Sequence, residues 1–230
     1  FKFAAQSASE RSINAMLALA KSEPGITVQP TDLDRDPWLL NLRNGTIDLR
    51  TGKLREHARE DLLTKLAPVE HDPQATCEVW DRFLGRIFAD DMELIRYVQR
   101  LAGYWLTGVV RDQVLPIMWG AGANGKTTFL NGITDMLGPD FGMKATSDLL
   151  MKKSRDSHPT EKADLFGKRL VVASETEDGH RLAESLVKEL TGGEKIRARW
   201  LFKDHFEFDP THKVVLASNH RPIIRGTDHA

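Results

Sequence analysis

The chain has 230 residues, enough for one large domain or two small ones. Its formal net charge of −1, with 28% charged residues, excludes a globally basic nucleic-acid binder, so any basic surface must be local. The single cysteine, Cys77, excludes a disulfide framework and a CxxC zinc site, and no apolar run approaches a membrane span or a secretory leader.

A lone cysteine is most often a buried small hydrophobe. Sparse cysteine fits a reducing, cytoplasmic setting. The chain opens at Phe1 without Met and stops at Ala230 in mid-segment, which reads as a piece of something longer.

In chain order, residues 1–22 read as a helix with Ile13, Met16, Leu17 and Ala20 on one face, ended by Pro24-Gly25. Trp38 to Leu42 and Thr46 to Leu49, separated by Arg43-Asn-Gly45 and followed by a turn at Thr51-Gly52, read as short hairpin strands. Pro68 and Pro73 mark a linker. Two amphipathic helices follow. Val79, Trp80, Phe83, Leu84, Ile87 and Phe88 form one stripe; Leu94, Ile95, Val98, Leu101, Ala102, Trp105 and Leu106 form the other. Both stripes read as core. Beyond residue 112 apolar strands alternate with helices, the signature of an α/β core with a parallel sheet. This predicts a mainly helical domain with a small β-hairpin over 1–110 and an α/β core over 111–230.

The core opens on Gly120-Ala-Gly-Ala-Asn-Gly-Lys-Thr-Thr128, which fits the phosphate-binding pattern G-x-x-x-x-G-K-[ST]. An apolar run, Val114 to Trp119, precedes it as a strand; Phe129, Leu130, Ile133, Met136 and Leu137 follow at helical spacing. Gly120, Gly122, Asn124, Gly125 and Thr128 then form a loop whose N–H groups face phosphate oxygens, at a helix N-terminus that favours anions. Lys126 would reach the β- and γ-phosphates of ATP, and the Thr127 hydroxyl would sit on Mg²⁺.

Lys168 to Glu175 reads as a strand ending in an acid. Glu175 is the first candidate to polarise a water and support Mg²⁺, and Glu177 the second. Lys213 to Ser218 is another buried strand, and Asn219 after it could bond both γ-phosphate and water. Taken alone, Asn219 to Pro222 suit a plain turn equally well. Between these lie Lys188-Glu-Leu-Thr-Gly-Gly-Glu194 and two alternating strands with Lys203, Asp204 and His205 at their tip. A basic tip flanked by aromatics suits single-stranded DNA, and it also suits a solvated turn.

The order GAGANGKTT, VVASETE, KELTGGEKIRARWLFKDHFEFDPTHKVVLASNHRP resembles the superfamily 3 helicases, nearest the phage and plasmid primase-helicases that include the poxvirus primase-helicase. The upstream stretches WLLNLRNGTIDLRTGKLREH and RYVQRLAGYWLTG resemble the region preceding that family's ATPase. The resemblance implies an AAA+-like P-loop ATPase that assembles as a hexameric ring. Such rings track single-stranded DNA 3′ to 5′ in replication of a phage, plasmid or integrated element, with a primase domain upstream in the full-length protein. It implies Lys126 and Thr127 on phosphate and metal, Glu175 as Walker B acid and Asn219 as sensor. Lys188 falls in the motif before the hairpin, and Lys203 and His205 fall on the hairpin facing DNA. Ser174 departs from the family, many of whose members carry an acid there. The arginine finger is expected downstream of Ala230, and Arg221 and Arg225 are not assigned that role. A loader of replication proteins and a nucleotide-binding module with little turnover are the alternative readings.

Overall fold

The computed structural model describes residues 2–23, 25–152, 159–175 and 181–224. By contacts the chain divides into two compact units, Phe1–Arg35 with Arg59–Thr64, and Asp36–Ala58 with Lys65–Ala230.

In the first unit the helix expected over 1–22 is two helices, α1 (Lys2–Ser7) and α2 (Glu10–Ala20). Ser9 breaks the run. Its hydroxyl accepts from the Ser12 N–H at 3.3 Å, capping α2 in place of a continuing helical bond. Ile13, Met16 and Leu17 are exposed, so this stripe forms no core among the described residues. Residues 59–64 return to the unit through Asp34, whose N–H donates to the Leu62 carbonyl at 3.1 Å and whose carboxylate accepts from the Thr64 N–H at 2.8 Å.

The second unit begins with an antiparallel meander of β1 (Leu39–Leu42), β2 (Gly45–Asp48) and β3 (Lys53–Arg55). The helices α3 (Glu78–Ile87) and α4 (Met92–Leu106) follow, close to their predicted spans. Then come β4 (Ile117–Trp119), α5 (Lys126–Phe141), β5 (Gly142–Ala145), α6 (Pro159–Ala163), β6 (Leu170–Glu175), α7 (Glu184–Thr191), β7 (Ile196–Arg199), β8 (His205–Phe208) and β9 (Lys213–Ser218). Strands β4, β9, β6 and β5 lie in that order in one parallel sheet. Strand β4 is shorter than the run from Val114 suggested: Val114 is exposed, and Pro116 has no N–H to give a ladder.

The central strands β6 and β9 are buried on both faces of the sheet, which is why they read as nearly unbroken apolar runs. Leu170 and Val172 of β6, with Val215 and Ala217 of β9, face α3, α4, α5 and the β1–β2 ribbon. Val171, Ala173, Val214 and Leu216 face the opposite way, onto Leu150, Leu165, Leu190, Ile196 and Phe208. Compactness therefore does not divide the chain near residue 110. The α3 and α4 stripes share one core with α5, although Val79 and Leu94 stay exposed at their margins. Cys77 is exposed rather than buried, because it occupies the N-cap of α3, where the chain is still entering the helix.

Two buried cations pin α4 and β1 to the lower edge of the sheet. Arg169 donates to the carbonyls of Leu39 and Leu106, and Lys213 to that of Thr107. The end of α4 leaves carbonyls without helical partners and carries partial negative charge, so cations are favoured there. Burial, and secondly the charge of Arg169, hold the Lys213 ammonium well below its ordinary pKa.

Candidate functional site

The glycine loop lies where the sequence places it, between β4 and α5, at the C-terminal end of the parallel strands. In open α/β sheets this is where ligands bind. Two backbone positions build the loop. Gly120 has φ +157, and a Cβ there would come 2.3 Å from the Asn124 amide nitrogen. Gly125, the N-cap of α5, has φ +88, and a Cβ would come 2.6 Å from Ile87 Cγ2. A methyl group at Gly122 would meet nothing within 4 Å, so the middle of the loop borders open space.

Aromatic packing fixes the first turn of α5. The Phe129 ring stacks on Trp80 at 5.8 Å and meets Phe88 and Trp105 edge-on at 6.3 and 6.4 Å. Lys126 is thereby aimed across the loop. Its ammonium donates to the carbonyls of Gly120 and Ala121, to the Asn124 side-chain oxygen at 3.0 Å, and to the Asn219 side-chain oxygen at 3.2 Å. Desolvation lowers its pKa from the ordinary lysine value. Thr127 and Thr128 are exposed in the same turn, whose N–H groups have no helical acceptors.

Three strand ends meet beside this cup. Trp119 and Glu175 each pair in register with Ser218, and Asn219 follows directly. The Ser218 hydroxyl donates to the His220 carbonyl at 2.6 Å and accepts from the His220 N–H at 3.1 Å. Asn219 lies within that tight turn, and its side-chain oxygen accepts from Lys126. The Glu175 backbone ends β6 here; its side chain, and all of Glu177 and Arg225, lie outside the described residues.

Two neighbours of the cup carry no assigned role in the sequence reading. Arg221 lies over the exposed Trp119 ring at 4.1 Å. A cavity of about 360 Å³ adjoins Lys126, walled by Phe88, Tyr97, Leu101, Met118 and Trp119. For the cavity the sequence signal was an aromatic at the strand end, which reads equally well as core, and for Arg221 it was only its place two residues after Asn219.

The remaining candidates stand elsewhere. Lys188 is exposed on α7. Lys203 and His205 belong to the separate β7–β8 hairpin; Lys203 is in its turn, while His205 opens β8 opposite Arg199 rather than standing at the tip. Both are exposed.

No described group of three or more His, Cys, Asp or Glu side chains could hold a metal. No described helix is long and apolar enough to cross a membrane.

A family model described as D5 N terminal like matches residues 1–89, and a family of unknown function, DUF5906, matches residues 118–230. The chain is 27% identical over 203 residues to "Putative helicase L207/L206" of Acanthamoeba polyphaga mimivirus, covering 86% of this chain and 21% of that protein. It is 25% identical over 203 residues to "Putative helicase 121R" of Invertebrate iridescent virus 3, covering 84% and 22%. It is 27% identical over 204 residues to "Putative primase C962R" of African swine fever virus (isolate Tick/Malawi/Lil 20-1/1983), covering 86% and 21%. The chain thus spans about a fifth of the length of the curated relatives it matches. Among solved structures, the A form apo structure of the NrS-1 C-terminal region superposes with a TM-score of 0.52 at 15% identity, covering 65% of this chain and 34% of that one. The apo structure of the NrS-1 C-terminal region (305-718) gives 0.51 at 17%, covering 67% and 37%. That likeness is one of fold. The match to the D5 model over the first part of the chain, and the similarity to helicase- and primase-named viral proteins along most of its length, support a primase-helicase relationship.

Proposed function

We propose that this chain is the ATP-hydrolysing motor part of a replicative DNA helicase. The observation that carries the reading is the convergence of Lys126, Asn124 and Asn219 on one point beside a glycine loop, at the C-terminal edge of a parallel sheet. A lysine ammonium among neutral carbonyl and amide oxygens would bind charged phosphate oxygens more strongly. The free N–H groups of the α5 first turn would add their positive end. Thr127 would hold Mg²⁺, which supplies charge neutralisation between the β- and γ-phosphates when bound. Asn219 would orient the γ-phosphate and the attacking water, and Glu175 would accept that water's proton.

The family resemblance extends the reading to a hexameric ring moving 3′ to 5′ on single-stranded DNA, with a primase domain upstream in the full-length protein. Lys203 and His205 of the hairpin, and Lys188 of α7, are the candidate DNA contacts. The test is steady-state ATP hydrolysis with and without single-stranded DNA, alongside sedimentation with ATP and Mg²⁺. Stimulated turnover and a ring-sized species support the reading. Turnover indifferent to DNA, but raised by another replication protein, would favour a loader.

A further inference from the structure

The β7–β8 hairpin has two unlike faces. Ile196, Ala198 and Phe208 are buried, and they pair in register as Ile196 with Phe208 and Ala198 with Phe206. The other face pairs Arg197 with Glu207 and Arg199 with His205. The stalk is stiffened by rings: Trp200 stacks on Phe206 at 5.8 Å, Phe206 on Phe208 at 5.8 Å, and Phe166 meets both edge-on at 5.8 and 5.4 Å.

Phe202 takes part in none of those ring contacts. It is 94% exposed, beside Leu201 at 61% and Trp200 at 43%. The Lys203 N–H donates to the Trp200 carbonyl at 3.0 Å, closing a four-residue turn with Leu201 and Phe202 at its centre. Phe202 sits there at φ +58, a left-handed position that favours glycine or asparagine and that a bulky side chain rarely adopts. The turn thus combines an unfavourable backbone with a fully hydrated aromatic ring. Neither helps the hairpin fold, and outliers of this kind cluster where a ligand is gripped.

We infer that Phe202 is a nucleobase-stacking residue, its ring packing on a base of single-stranded nucleic acid while Lys203 and the outward arginines of β7 meet the phosphates. The inference rests on the single-strand reading above and deepens it. Charge complementarity selects this occupant. The hairpin carries Arg197 and Arg199 on β7 and Lys203 in its turn, against Asp204 and Glu207. One isolated ring beside cations is what a strand of alternating bases and phosphates needs. The three apolar side chains of the tip make a small patch for a protein partner.

The test is fluorescence anisotropy with labelled oligo-dT and with an abasic strand of equal length. The variants are Phe202→Asn, Phe202→Trp and Lys203→Ala. Asn keeps the left-handed preference, so Phe202→Asn removes the ring without disturbing the turn, and unchanged thermal melting verifies this. It should weaken oligo-dT binding by about 10-fold or more, leave abasic binding and the salt slope alone, and be rescued by Phe202→Trp. Lys203→Ala should weaken both strands and flatten the salt slope. Equal losses on both strands in Phe202→Asn, or none, would overturn the inference. So would a shift in sedimentation with oligo-dT affinity intact, which would make the ring a contact between copies. If the wild-type protein binds neither strand, the single-strand reading itself falls.

Discussion

The Lys126 ammonium and the Asn219 side-chain oxygen, 93 positions apart in sequence, stand 3.2 Å from each other. One follows the glycine loop and the other follows β9, so the contact joins two loops at the mouth of the sheet. A phosphate bound at Lys126 would have Asn219 as its neighbour. A charge introduced at Asn219 should therefore be felt first in nucleotide affinity.

Asn219→Asp should weaken ATP binding. A carboxylate would pair with Lys126 as a charge-assisted bond and also repel the γ-phosphate. We expect at least about a tenfold rise in the ATP dissociation constant, with a smaller effect for ADP, measured by calorimetry. Equal effects on both nucleotides would place Asn219 away from the γ-phosphate.

Lys126→Ala should abolish binding or turnover, since it removes the point charge that meets the transferring phosphate. Circular dichroism should be unchanged, because the ammonium sits among oxygens at the surface of the loop rather than in the core. Tight ATP binding with normal turnover in this variant would remove the phosphate-loop assignment.

Glu175→Gln should separate binding from hydrolysis. Its backbone is held opposite Ser218 at the end of β6, in line with the cup. An amide keeps the shape but cannot take a proton from water, so turnover should fall by about 10²-fold or more while ATP still binds. If Glu177→Gln has that effect and Glu175→Gln does not, the acid lies two residues further on.

Strands β6 and β9 were legible in the sequence because a sheet buried on both faces needs apolar residues at every position, and such runs stand out against flanking charge. Helix α5 was legible from Phe129, Leu130, Ile133 and Leu137, all of which are buried. The strand order was not. That β9 lies between β4 and β6 depends on contacts across about a hundred residues, which no local period encodes. The Lys126 cup was half legible: the motif named the lysine, but only the Ser218–His220 turn selects Asn219 as its partner. The helix break at Ser9 and the exposure of Cys77 escaped the sequence reading for a shared reason. Capping positions follow from where a helix starts, and apolar periodicity locates starts poorly.

The buried His212 should make stability fall in mild acid. It adjoins Lys213 at the start of β9, and neither ring nitrogen has a hydrogen-bond partner among the described residues. Burial, and then the charge of Lys213, lower its pKa from 6.5 to about 4. The folded protein therefore keeps this ring neutral over a range in which the unfolded chain protonates it. The unfolded state binds more protons there, so stability is fully retained above pH 6.5 and is lost as the pH falls from 6.5 toward 4. One such group contributes a slope of up to about 1.4 kcal/mol per pH unit. Urea denaturation at steps between pH 7.5 and 4.5 measures it. His212→Leu removes the titrating group from a site that offers the ring no hydrogen bond, so its stability should fall less steeply across the same range. Identical slopes in the two proteins would mean that His212 is solvated and titrates normally, and acid sensitivity would then belong to the carboxylates.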